Sequence, residues 1–190
     1  MNNAGGKKTT SNGGAFEKQT KLDEFLLNNK FENKKIKYNK KEYNYLYKKD
    51  NEIEIYNFNQ QNYKPVLISI FKIREEDIFR KPDDAFIIVH NDKLHFRIVE
   101  KKFQECEGSV ETKLWGSYQL RDEYRKIFKN KFNTIEYSLI LNSFLFDKLC
   151  SQIKKYVILK EQFEEYNIKH YNGCDKEYKE IIYKDILKIN

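Results

Sequence analysis

The chain has 190 residues, with 36 Lys and Arg against 29 Asp and Glu, three histidines and three cysteines. That length suits one domain around one substantial core. No apolar run is long enough to span a bilayer, and the amino-terminal MNNAGGKKTTSNGG lacks the apolar centre of a secretory signal, so a soluble, cytoplasmic protein is expected. The net charge of +7 suits a polyanionic partner, since Lys and Arg that neutralise phosphates release counterions. Lys, Asn, Ile, Tyr and Phe are also what an AT-rich genome supplies by default, so charge alone identifies nothing. Cys106, Cys150 and Cys174 are odd in number and widely spaced, which excludes a disulfide framework or a CxxC zinc site. Each is expected to be a buried or half-buried free thiol.

Residues 1–13 carry almost no apolar side chain and read as a flexible arm ahead of a single domain over 14–190. In GAFEKQTKLDEFLLNN, Phe16, Leu22, Phe25 and Leu26 can share one helical face, and Asn28-Asn29 supply a stop, predicting a first helix over 14–29. Residues 31–63 predict two or three strands joined by polar turns, with helix an alternative for 40–48, and PVLISIFKI (65–73) suits either a strand or a short helix. DAFIIVH and KLHFRIVEKKFQ, separated by the turn-forming pair Asn91-Asp92, read as an antiparallel hairpin.

Beyond the hairpin, Ser109 is a candidate N-cap, Glu111 suits the first turn, and apolar residues recur at helical spacing to about 130. A strand (134–142), a helix (144–165), a short strand (NIKHY) and a last helix (176–188) follow. Strands 93–104 and 134–142, joined by a helix, are expected to run parallel near the sheet centre, giving an α/β fold with a mixed central β-sheet flanked by α-helices.

Charge inside the hairpin carries the functional signal. Along LHFRIVEKKFQ, Leu94, Phe96, Ile98, Glu100, Lys102 and Gln104 share one face, so a face that begins apolar ends in a carboxylate, an ammonium and an amide. The antiparallel turn brings Pro82, Asp83 and Asp84 to the same end of the sheet as Glu100 and Lys102. A hard divalent cation wants oxygen ligands, which Asp83, Glu100 and backbone carbonyls can provide. Lys102 could then orient or deprotonate a water attacking phosphorus while the cation stabilises charge on the phosphate oxygens. Taken singly, Pro-Asp-Asp is commonly a turn and Glu-x-Lys an exposed pair; their convergence on one face of adjacent strands argues for a site.

Pro82-Asp83 followed by Glu100-Lys101-Lys102 resembles the PD-(D/E)XK signature of the restriction-endonuclease-like nucleases, and over residues 14–142 the chain is most similar to small type II restriction enzymes. The resemblance implies a restriction-endonuclease-like fold and Mg²⁺-dependent hydrolysis of DNA phosphodiesters, with Mn²⁺ able to substitute. It implies Asp83 and Glu100 as metal ligands, Lys102 acting on the water, and Glu17 on the first helix assisting. Glu17 in a first turn would equally suit the helix dipole. Asp84 could replace Asp83 as the motif aspartate, but Asp83 directly follows the proline; Asp84 is expected to cap or solvate the strand start. Gln104 could hold a water or a phosphate, and Lys101 is expected to pack its stem or meet solvent on the opposite face. The Q-x-x-x-Y of exonuclease-like branches is absent, which favours an endonuclease.

The expected partner is double-stranded DNA, bound by a homodimer because each chain has one site and cutting two strands needs two. DNA contacts could come from the Lys, Asn, Gln and Tyr tract between Lys34 and Lys64, or from Arg121, Arg125 and Lys126. A structure-specific repair or nicking nuclease and a non-catalytic DNA-binding protein are the alternatives. His90, His95 and His170 have no ligand spacing and are expected to be structural or on the surface; no Walker loop or nucleophile elbow is present.

Overall fold

The computed structural model describes residues 6–106 and 109–188, with the side chains of 6–11, 109 and 110 outside that description. Seven strands form one mixed sheet in sequence order: β1 (Glu32–Tyr38), β2 (Lys41–Asp50), β3 (Ile53–Asn59), β4 (Asp84–His90), β5 (Lys93–Lys102), β6 (Thr134–Leu141) and β7 (Ile168–Asn172). The first five pair antiparallel, whereas β6 runs parallel to β5 and β7 to β6. Two-residue turns return the chain antiparallel at β1–β2, β2–β3 and β4–β5; β3 and β4 are also antiparallel although residues 60–83 join them, and the helical crossovers before β6 and β7 bring those two strands in parallel. Asn91 and Asp92 both adopt positive φ (49° and 59°), as do Asn39 and Lys40 (48° and 63°). These backbone signs suit tight hairpins, whose twist matches that of the strands.

Helices cover both faces. On one lie α3 (Tyr63–Ser69), α4 (Ser109–Trp115), α5 (Ser117–Phe128), α6 (Ser143–Leu149) and α7 (Lys154–Glu165). There Tyr63, Tyr124, Phe128, Tyr156, Leu159 and Phe163 pack on Ile87, Phe96, Ile98 and Leu139. The opposite face carries α1 (Gly6–Gln19), α2 (Asp23–Asn28) and α8 (Tyr178–Leu187), whose Phe16, Leu22, Leu26, Tyr178, Ile182 and Ile186 meet Phe86, Ile88, Val99 and Ile140. The α8 trio recurs every fourth residue, the spacing that stacks side chains along one helical stripe. Because both faces are covered, β4 is buried on both sides over most of its length, which accounts for its unbroken apolar run.

Several boundaries differ from expectation. The first helix starts at Gly6 and ends at Gln19, so residues 6–13, expected as a flexible arm, are helical and Gly13-Gly14 lie inside α1; residues 1–5 lie outside the described residues. The expected single helix 14–29 is divided by a break at 20–22. Residues 40–48 belong to the β1–β2 hairpin rather than a helix, and 65–73 yields the short helix α3. The helices expected over 109–130 and 144–165 are each split, the first at Gly116 and the second at 150–153. The Ser109 cap rests on a side chain outside the described residues, while Glu111 does occupy the first turn of α4. Cys106, Cys150 and Cys174 are exposed, not buried, because each sits in a loop or just past a helix end. Among the described residues, no helix is long and apolar enough to cross a membrane.

Two contacts fix the helices that frame the candidate site. A Cβ at Gly173 would meet Ile140 Cγ2 at 2.6 Å, Thr20 Cγ2 at 2.9 Å and Phe16 Cζ at 3.0 Å, so only glycine lets the end of α1 approach the sheet this closely. On the other face, Glu111 of α4 accepts hydrogen bonds from Tyr156 and, at 2.9 and 3.2 Å, from Lys155 and Lys148. These donors, Tyr156 first, hold its carboxyl down at about 2 and tie α4 to α7.

Candidate active site

The β4–β5 register pairs Asp84 with Val99, which puts Asp83 just beyond the ladder opposite Glu100, on the same face. Asp83 Oδ2 accepts the Lys101 backbone N–H at 2.7 Å, holding its carboxylate over β5 beside Glu100. Lys102, two residues on and sharing the Glu100 face, donates to Glu100 Oε2 at 2.7 Å. Their side chains keep 17% and 16% of their exposure, so the pair sits at the rim of the core. Asp83, Glu100 and Lys102 thus come together as the sequence predicted.

Burial raises the Glu100 carboxyl above its ordinary range; Lys102 counters this and the Asp83 charge adds to it. Behind Glu100, the phenols of Tyr63, Tyr124 and Tyr137 are raised by burial first, with the Glu100 charge contributing to each. Sequence periodicity marked Tyr124 as a core residue, and that is correct; its position behind a carboxylate had no sequence signal. Arg80, which donates to Glu123 at 2.8 Å, also lies close enough to favour the ionised Glu100.

Two grooves open beside Asp83. One, of about 230 Å³, is bounded by Glu17, Asp83, Lys101, Lys102 and Lys113; the other, of about 360 Å³, by Glu17, Lys18, Lys21, Asp83 and Gln61. Glu17 therefore reaches the rim of the site, as predicted, but from the last turn of α1 rather than from a first turn. A carboxylate at that end opposes the helix dipole, so the alternative explanation from helix stability falls away.

Two expectations about neighbouring residues are corrected, those for Asp84 and Gln104, while Lys101 follows the packed one of its two alternatives. Asp84 neither caps nor solvates the strand: it is buried on the opposite face, 2.6 Å from Lys101 Nζ. Lys101 accordingly is not solvated; its side chain is 5% exposed because Asp84 draws it inward. Burial raises the Asp84 carboxyl to about 6 even though Lys101 opposes the shift. Gln104 lies past the end of β5 and is buried in loop contacts, donating to Cys106 O and, through its backbone N–H, to Asn142 Oδ1, so its side chain does not extend the site face.

The histidines are structural where buried: His95 bonds Thr134 at 2.9 Å, and His170 packs against Phe146 and Phe163. In the tract between Lys34 and Lys64, tyrosines spend part of their surface on one another, with Tyr45 and Tyr47 both against Tyr56. Arg121 and Arg125 line a separate groove with Thr134. Since Thr134 pairs with His95 and Leu139 with Glu100, that groove lies about 17 Å down the sheet from the Asp83 end.

The donor chemistry fits a hard cation. Among the described residues no three His, Cys, Asp or Glu side chains form a ready cage. Asp83 and Glu100 offer two carboxylates, and burial first, with the Asp83 charge adding to it, raises Glu100. Mg²⁺ is commonly held by one or two carboxylates, with the remaining positions left to water and substrate phosphate, so the pair suits it. Comparison with family models, with curated proteins and with solved structures finds no match for this chain.

Proposed function

We propose that the protein is a Mg²⁺-dependent DNA endonuclease of the type II restriction kind, with a restriction-endonuclease-like fold. The observation that supports this most is the opposition of Asp83 and Glu100 on adjacent strands with Lys102 bonded to Glu100 on the same face. Asp83 and Glu100 would hold the cation, for which Mn²⁺ could substitute, and it would supply charge stabilisation at the phosphate. Glu100 must be ionised to do so, and Lys102 and Arg80 favour that form. With Glu100 facing a cation, Lys102 would be free to orient the attacking water or, when neutral, to take its proton. Glu17 assists from the rim through a water. The protein acts as a homodimer on double-stranded DNA, one site per strand.

Incubating the protein with long unmethylated DNA, with Mg²⁺ or EDTA, tests the reading. Discrete Mg²⁺-dependent fragments sharing a terminal sequence are expected. Asp83→Asn and Glu100→Gln should leave no detectable cleavage, and Lys102→Ala should slow it about 10²–10⁴-fold, the usual worth of a group that handles the proton. Wild-type cleavage by any of the three variants would refute the assignment.

A further inference from the structure

The two grooves share Glu17, Asp83 and Lys101, so they meet at Asp83 and Glu17 and otherwise have different walls. Their lysines differ in state. Lys101 and Lys102 are neutralised by Asp84 and Glu100. Lys18 and Lys21 in the larger groove and Lys113 in the smaller are exposed and have no ion pair among the described residues. Asp23 in the larger groove is the one further carboxylate there apart from the Asp83, Asp84 and Glu17 group. Unpaired ammonium groups in both grooves that meet at Asp83 match a chain of regularly spaced anions whose central member lies at Asp83. Neither the tyrosine-rich outer strands nor the Arg121 groove has this relation to Asp83.

We propose that the two grooves form one track for the backbone of the cleaved DNA strand, with Lys18 and Lys21 contacting phosphate on one side of Asp83 and Lys113 on the other. The track rests on the nuclease reading and adds to it the course of the substrate. It follows that these lysines set affinity uniformly across sequences, because phosphates carry no base identity.

The test measures binding of a fluorescent duplex to Glu100→Gln protein with Mg²⁺ between low and moderate salt, while wild-type cleavage is followed in parallel. Adding Lys18→Ala, Lys21→Ala and Lys113→Ala together should make the slope of log K against log salt shallower by about 2.7, at about 0.9 per phosphate contact. Replacing exposed Lys160, Lys176 and Lys184 by alanine removes the same charge elsewhere and should leave the slope unchanged. Cleavage by the wild type with no slope change in the groove variant overturns the track alone. A slope change on replacing Lys34, Lys35 and Lys37 of β1, with none from the grooves, overturns it in favour of the outer strand. No wild-type cleavage, together with the shallower groove slope, overturns the nuclease reading and supports the track as a DNA-binding surface.

Discussion

Where β4 begins and β5 ends, two acid–lysine pairs lie one on each face of the sheet, and they differ in how far each is buried. Asp84 and Lys101 face α1 and α8 with only 4% and 5% of their side chains exposed. Glu100 and Lys102, on the other face, keep three to four times that exposure beside the groove that reaches Asp83. Residue chemistry in the two pairs is nearly the same. What differs is exposure: the inner pair is almost wholly buried at the floor of the larger groove, while the outer pair is open enough that, on the proposed reading, it would exchange its internal bond for a cation and a phosphate.

The largest effect that could break this comparison is on the inner face. Asp84→Ala leaves Lys101 charged and unpaired in the core and should cost about 3–5 kcal/mol in denaturant unfolding. Asp84→Leu with Lys101→Met should recover most of it; equal losses in the single and double variants would show that the pair is not what holds this end. The same group has a pH signature. Its folded value, about 6, exceeds the ordinary 3.8, so its contribution is fully present below 3.8 and is lost as pH rises through about 6. Asp84→Asn should flatten that stretch of the stability curve.

A smaller effect concerns the approach of α1. Gly173→Ala should push Phe16 and Thr20 from Ile140 and cost about 1–3 kcal/mol, as overpacking does. Cleavage should fall with it, because Glu17 and Lys18 ride on the same turn. Unchanged stability would mean that the end of α1 is free to shift.

On the outer face, the pH–rate profile sharpens the comparison. Glu100 is raised, so cleavage should fall about tenfold per unit as acid protonates it, beginning above the ordinary carboxylate range. Arg80 favours the ionised form, and Arg80→Ala should move this acid limb to higher pH; a limb that stays in place would detach Glu100 from the rate. The smallest effect belongs to a pair that is mostly exposed. Lys35→Ala removes a 3.2 Å contact with Glu42 between solvent-facing side chains on β1 and β2 and should change stability by about 0.2–1 kcal/mol, measured by thermal unfolding.

Much of the site was legible in the sequence because strands obey simple rules. Side chains alternate with period two, and Asn91-Asp92 fixes the turn, so the register placing Asp83 opposite Glu100 follows from counting. The same counting put Lys102 on the Glu100 face and Lys101 on the other, and the helical connection between β5 and β6 agrees with the expected parallel pairing. Counting could not say what meets each face. Whether Lys101 is solvated or buried depends on Asp84 having drawn it under α1 and α8, and α1 reaches that position only because Gly173, far along the chain, lacks a side chain.

Sequence by itself thus determined the β4–β5 hairpin and the carboxylates it brings together, since both depend on neighbours within one hairpin. The tertiary structure alone decided where helices break, that Gln104 turns into a loop, that three tyrosines stand behind Glu100 and that Lys18, Lys21 and Lys113 remain unpaired at the groove rims. Those outcomes depend on contacts between segments many residues apart, where burial and charge compensation, not local periodicity, set the free energy.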